Sequence, residues 1–345
     1  MIHVRSVYPR RRIAAFDAID AYNTLLIAAF NRVDGIAAAT CEPDAMWGAR
    51  CDALLIQYNP FSYGRWGVAP SLVVRLAAAR LRRPRVRVSL VVHEPYVAIS
   101  GVKTIPMAAW HRVQLFALTC LVHSVVVPSS DAARRIGSFP HPPVVVPVGS
   151  NLPDRQDRRD EARGSLEVGP GDVVIVVFGA SAAGRSMAHV AAGLRAAVER
   201  APSVSLLVLG TGHELPSVVD GVAVHRPGAL PADDVARLMA AGDLFLSAYD
   251  DGVSTRRGAL MAALQHGLAV VGTTAGRSDA VLAASRGLQL VPIGDTGAFA
   301  EAVGRLAADE AERRDRGNAA RELYFACFDW DVIVEQLRPI LRSPG

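Results

Sequence analysis

Two arginines stand side by side in DDGVSTRRGALMAALQHGLAVVGTT (250–274), where a loop bearing acids and glycine gives way to an apolar, helix-like run. Guanidinium forks match the oxygens of phosphates. The first turn of a helix adds N–H groups without intrahelical partners and a positive dipole end. Arg256 and Arg257, immediately before Gly258, therefore suit an anion, with the backbone of Ser254 and Thr255 as further donors. The plainer reading is a surface loop whose arginines stay in water. Three other loops are rich in small or polar residues: FGASAAGRS (178–186) with Gly179 and Arg185, LGTG (209–212) with Gly210 and Gly212, and HRPGAL (225–230) with Arg226 and Gly228. Glycine lets backbone approach a ligand closely. Taken together, these loops describe a cradle for a diphosphate.

In the first half of the chain, His93 and Glu94 follow an apolar run and precede Pro95. Such groups orient hydroxyls or exchange protons, or the histidine is simply tied to backbone at a domain edge. Asp251, beside Asp250, either binds hydroxyls or caps the helix and offsets Arg256. Tyr8, Arg11, Tyr58 and Tyr96 are candidates for holding a second substrate. The aromatic stretch QYNPFSYGRWG (57–67) either stacks on rings or packs beneath a loop. No histidine pair has metal-site spacing, so a metal-independent reaction is expected.

The elements that must position these residues follow from the hydrophobic pattern. The 345 residues, 51% of them hydrophobic, suffice for two domains and exclude a disordered chain. The net charge of +4 is small, and Lys103 is the only lysine. The arginines are scattered, which argues against a nucleic-acid partner, and the run from Arg80 to Arg87 reads as a solvated helix end. Four cysteines without CxxC spacing suggest free thiols and a reducing compartment. The N-terminus lacks a signal-peptide core, so a cytoplasmic location is expected, with peripheral membrane contact left open.

Short Val/Leu/Ile runs alternate with helix-period segments throughout. Strands are expected at 2–7, 35–39, 53–57, 86–92, 124–127 and 144–146, then at 173–178, 204–209, 222–225, 244–247, 268–272 and 288–291. This alternation predicts an α/β protein with two doubly wound, Rossmann-like domains facing across a cleft. The charged stretch 151–172 is the expected linker. Ligands in such sheets bind beyond the carboxyl ends of the strands.

The ordered set FGASAAGRS, LLVLGTG, VAVHRPG, AGDLFLSAYDDG and GLAVVGT resembles the donor half of GT-B glycosyltransferases of family 4, which are retaining and use nucleotide-sugars. VVHEPYV, VVVPSS, VPVGSN and the tail FDWDVIVEQLRPIL extend the resemblance over nearly the whole chain. It implies the GT-B fold, with an acceptor domain at 1–150, a donor domain at 151–328, and a last helix in 329–345 crossing back to the first. It implies two partners, a nucleotide-diphosphate sugar as co-substrate and a hydroxylated acceptor (a small molecule, natural product or glycan), and no other cofactor. His93 then contacts the transferred sugar, Glu94 orients it or accepts a proton, Asp251 binds its hydroxyls, and Arg185 falls at the phosphate-loop lysine. Three features depart from the pattern. The phosphate-loop arginine falls on Ala182, the second acid of the acidic loop is absent (Ala262 by one anchoring), and SVYPRRRIAAF replaces the glycines after the first strand. The alternative reading is a pseudo-glycosyltransferase or a non-catalytic nucleotide-sugar-binding protein.

Overall fold

The structure, a computed structural model, describes residues 1–9, 17–46, 48, 50–137, 140–179, 184–211 and 222–342. Arg11, Ala182 and Gly212 lie outside them. The chain divides into two compact units, Met1–Val148 with Trp330–Gly345, and Gly149–Asp329.

The first unit alternates strand and helix: β1 (Ile2–Val7), α1 (Ala18–Arg32), β2 (Ile36–Cys41), β3 (Ala53–Tyr58), α2 (Pro60–Tyr63), α3 (Pro70–Arg82), β4 (Arg87–Val92), α4 (Ile105–Thr119), β5 (Ser124–Val127), α5 (Ser130–Ile136) and β6 (Val144–Val145). The strands form one parallel sheet in the order β2-β1-β3-β4-β5-β6. Because the sheet is covered on both faces, β3 is buried along its whole length, and its first four residues read as continuous apolar sequence. One face carries the core around Leu54, Ile56, Leu72 and Leu76. The other packs Leu26 and Phe30 of α1 against Ile333, Val334 and Leu337 of the last helix, α13 (Trp330–Leu341).

The second unit contains α6 (Arg159–Ser165), β7 (Val173–Phe178), α7 (Met187–Arg200), β8 (Val204–Leu209), β9 (Val222–His225), α8 (Ala232–Met239), β10 (Leu244–Ser247), α9 (Gly258–Gln265), β11 (Ala269–Thr274), α10 (Ala280–Ala283), β12 (Leu288–Pro292), α11 (Thr296–Ala308) and α12 (Glu310–Cys327). Its parallel sheet runs β12-β11-β10-β7-β8-β9. The charged stretch 151–172, expected as the linker, lies within this unit. Arg159 and Arg163 of α6 both pair with Asp243, at 2.5 and 3.1 Å, and Arg163 also donates to the Asp172 carbonyl at 2.8 Å. Asp243 in turn accepts the Val174 N–H at 2.8 Å, which fixes the start of β7 beside β10.

Helices α7 and α11 lie close because each contributes a glycine at the crossing. A Cβ on Gly193 would come within 2.9 Å of Val303, and one on Gly304 within 2.8 Å of the Ala196 carbonyl oxygen. Gly304→Val should therefore overpack this contact and destabilise the second unit by about 1–3 kcal/mol. A lowered denaturant midpoint for that unit would show it, and an unchanged midpoint would contradict the close packing.

Candidate active site

In the second unit the loops after β7 and β10 meet at the carboxyl end of the sheet. These two strands adjoin although two others separate them in sequence, so this is where the strand order reverses and a crevice is expected. Arg185 and Tyr249 form an isolated antiparallel bridge. Two backbone bonds reinforce it, Ser186 N–H to Ala248 O at 2.8 Å and Asp250 N–H to Gly184 O at 2.9 Å. The buried Arg185 side chain donates to the Phe178 carbonyl at 2.8 Å and to the Tyr249 hydroxyl at 2.7 Å. The Arg257 guanidinium lies 3.5 Å from the Tyr249 ring centroid and that of Arg185 5.0 Å from it, both within cation–π range. Tyr249 thus carries two cations on one ring, and sequence reading did not single it out.

The paired arginines do not stand in water. Arg256 donates to Asp251 Oδ2 at 2.6 Å, Arg257 to Asp251 Oδ1, and Arg277 approaches Oδ2 at 3.4 Å. Of the two roles open to Asp251, offsetting the arginines is the one the contacts display. One carboxylate faces three guanidinium groups, so the cluster keeps a positive excess. Burial lowers the Arg257 pKa, and the proximity of Arg256 lowers it further, against the raising effects of Tyr249 and Asp251. Arg257 Nε is buried without a hydrogen-bond partner, a donor for which the protein supplies no acceptor.

Ser254 and Thr255 require a correction. Both are buried, and their donors are taken by Asp279: Ser254 Oγ at 2.8 Å, Thr255 N–H at 2.9 Å and Thr255 Oγ1 at 3.1 Å. The Thr255 N–H and the two hydroxyls therefore brace the loop from inside. Asp279 escaped sequence reading because a lone acid 25 residues away carries no local signal. In α9 the N–H groups of Leu260 and Met261 already bond the Arg257 carbonyl, and Gly258 and Ala259 are its partly exposed residues, so a ligand at this helix end would meet the N–H groups of those two. Ala262 is fully buried, so that position could not present a carboxylate to a ligand.

The glycines divide by role. Gly179 and Gly210, at φ +150° and +95°, sit at the ends of neighbouring strands, where a Cβ on Gly210 would strike the Gly179 carbonyl. Their smallness serves strand-end packing. Gly228, at φ +78°, has open space where its Cβ would be, and Arg226 lies nearby in the exposed loop after β9. Gly258 borders Asn151 at 3.4 Å from its would-be Cβ.

In the first unit, a buried polar relay lies across β4, β3, β1 and α1. His93 Nε2 bonds Gln57 Oε1 at 2.8 Å, Gln57 donates to Ser6 Oγ at 3.0 Å, and Ser6 donates to Asn23. The Tyr22 ring meets His93 edge-on at 5.0 Å. Burial lowers the His93 pKa to about 4, opposed only weakly by Asp17, so the imidazole is neutral at pH 7. Glu94 is partly exposed, 3.8 Å from Arg135. Tyr96 is held between Arg112 and Arg135, at 4.0 and 4.8 Å from its ring centroid, and donates to the Arg135 carbonyl. Tyr8 is buried and bonds Asp17 at 2.8 Å. Tyr58 is fully buried and hydrogen-bonded to Gln114 at 3.1 Å, so it is a core residue and not an acceptor contact. Among the described residues, no three His, Cys, Asp or Glu side chains converge to hold a metal ion.

Residues 173–309 match the family described as glycosyl transferases group 1. No curated protein sequence matches the chain. Among solved structures, sucrose-phosphate synthase from Thermosynechococcus elongatus is similar with a TM-score of 0.69 at 14% identity, over 99% of this chain and 98% of that one. Anabaena HepE in complex with UDP and glucose gives 0.68 at 13%, over 99% of each chain. WaaG, a glycosyltransferase involved in lipopolysaccharide biosynthesis, gives 0.60 at 16%, over 99% and 100%. At these identities the likeness establishes the fold, which is GT-B.

Asp279→Ala would strand three buried donors and should destabilise the second unit by about 2–4 kcal/mol, while loosening the arginine loop. Chemical denaturation measures the first effect, and a midpoint equal to that of the parent would exclude the bracing role. His93 should make stability pH-dependent. The unfolded chain takes up its proton near 6.5, whereas the folded protein resists until about 4. The stability His93 contributes is thus present above pH 6.5 and lost as pH falls from 6.5 to 4, by up to about 3 kcal/mol. His93→Gln should flatten that slope in denaturation curves taken across the interval.

Proposed function

Starting from a GT-B glycosyltransferase whose residues 173–309 form the group 1 domain, we propose that the protein moves a sugar from a nucleotide-diphosphate donor to a hydroxylated acceptor with retention at the anomeric carbon. The observation that carries this reading is the cationic cluster of Arg185, Arg256, Arg257 and Arg277 around Tyr249 and Asp251, beside the first turn of α9. Departure of a diphosphate concentrates negative charge on its oxygens. Fixed guanidinium and N–H donors aimed at that charge lower the barrier, each worth about 2.7–4 kcal/mol where such donors have been removed. This assignment places the leaving-group charge on arginines and N–H groups, and asks nothing of a metal ion. HepE structures containing UDP or UDP-glucose, and a trehalose-6-phosphate structure bound with UDP-2-fluoro glucose, support a nucleotide-sugar as the donor class.

The acceptor falls to the first unit, where neutral His93 and Glu94 stand at the carboxyl end of β4. His93, held by Gln57, offers an uncharged hydrogen-bonding ring to sugar hydroxyls. Glu94 is exposed enough to accept a hydrogen bond from an incoming hydroxyl.

Arg257 is the most exacting test. Arg257→Ala removes a donor to the diphosphate and leaves Asp251 paired with Arg256 and Arg277, so the fold should survive. Nucleoside-diphosphate affinity should fall at least about tenfold, a loss of about 1.4 kcal/mol. Titration calorimetry of parent and variant decides this, with Arg185→Ala as a second probe. Equal affinity in both variants would remove the cluster from the donor site. Release of free nucleotide only when acceptor is present separates transfer from binding alone.

A further inference from the structure

Helix α4 is largely apolar on both faces. It buries Ala108, Leu115 and Leu118 together with the polar His111 and Gln114, while Ile105, Trp110, Val113 and Phe116 face solvent, Val113 with 61% of its surface exposed. A solvent-facing helix ordinarily shows a polar outer face. The burial is built, not accidental. Gln114 accepts the Ala69 N–H at 2.7 Å and the Trp110 indole N–H at 3.2 Å, and donates to the Tyr58 hydroxyl and the Gly67 carbonyl. His111 meets the Trp66 carbonyl at 3.0 Å and the edge of the Phe61 ring. These bonds pin the 61–69 segment against α4 and leave Trp66 66% exposed beside it, at φ +61°. The turn leading into α4 continues the apolar surface. Thr104 Oγ1 binds the Ser100 and Gly101 N–H groups, and Ile99 and Val102 project outward, Val102 at 82% exposure.

The charge on this part of the chain has one sign. Residues 53–130 contain eight arginines, Lys103 and a single carboxylate, Glu94, which faces Arg135. Lys103 lies on the apolar turn, Arg112 on α4, and Arg65 beside the Trp66 ring at 5.9 Å. Exposed large apolar side chains gathered on one helix and its leading turn mark an interaction site. Aliphatic and tryptophan side chains mixed with cations, on a stretch whose one carboxylate faces Arg135, fit the boundary between acyl chains and anionic headgroups, where tryptophan rings settle and basic side chains reach phosphate. A second copy of the chain would set these cations against their own kind, which disfavours self-association through this face.

We propose that the outer face of α4, with the Ile99–Lys103 turn and Trp66, docks the protein on an anionic phospholipid bilayer. Vesicle binding needs neither donor nor turnover, so its test is independent of that reading.

The experiment is cosedimentation of the full chain with vesicles of an equal mixture of phosphatidylcholine and phosphatidylglycerol, and with phosphatidylcholine alone. Binding should occur on the mixed vesicles, weaken as salt rises, and be much lower on phosphatidylcholine. A Val102→Asp, Phe116→Asp variant should lose at least about tenfold in vesicle partitioning with an unchanged melting curve. Arg65→Glu with Lys103→Glu should lose the preference for phosphatidylglycerol. Failure of the parent to sediment with mixed vesicles, equal binding to both compositions, or undiminished binding by the Asp variant would each overturn the proposal. So would a concentration-dependent dimer of the parent that the Asp variant abolishes, since the face would then join two copies.

Discussion

A single carboxylate organises the second unit's site. Arg256, Arg257 and Arg277 converge on Asp251, and without that anion their mutual repulsion would push the loop after β10 outward. Asp251 holds the guanidinium groups together and leaves the set net positive. A diphosphate entering such a site meets donors already gathered, so little ordering remains to be done at binding. Desolvation works in the same direction, because a partly buried cation gains more from an incoming anion than one in water. Asp279 supplies the rigid floor beneath, holding Ser254 and Thr255 from the interior side.

Much of the scaffold was legible in the sequence because parallel strands buried on both faces are written as uninterrupted apolar runs. Val173–Phe178, Val204–Leu209 and Leu244–Ser247 are strands for that reason. Helix α12 was not legible. Its eighteen residues are dominated by charge, and the face it buries consists of Gly317, Ala319, Ala320 and Tyr324, too small to mark a period. The charged stretch after Asn151 misled in the opposite way, because its arginines pair across space with Asp243, a partner that sequence spacing cannot reveal. At the site, Arg185, Arg257 and Asp251 were visible as charges in polar loops. The division of labour among their neighbours was not. Ser254 and Thr255 look like ligand donors until Asp279 is seen behind them. Tyr58 looks like a stacking platform until its full burial is known.

The first unit solves a different electrostatic problem. Its reactive-looking histidine is neither charged nor loose. Gln57, Ser6 and Asn23 pass a line of hydrogen bonds from the core to His93, and such buried networks hold a unique geometry when every member is satisfied. A neutral, fixed imidazole suits hydroxyl recognition better than charge pairing. The two units therefore offer different surroundings, cationic in the second and neutral polar in the first.

The assignment of α13 to the first unit bears on how the polypeptide reaches its native state. The second unit is continuous in sequence, and its 149–329 span can close its own core as soon as it is made. The first unit is interrupted. Ile333, Val334 and Leu337 cover the sheet face that also receives Leu26 and Phe30, so that face waits, uncovered, while the whole second unit is synthesised. An apolar sheet surface left open for that interval is exposed to wrong partners. Production of this protein is thus sensitive to chaperone supply and to any stalling of translation before Trp330.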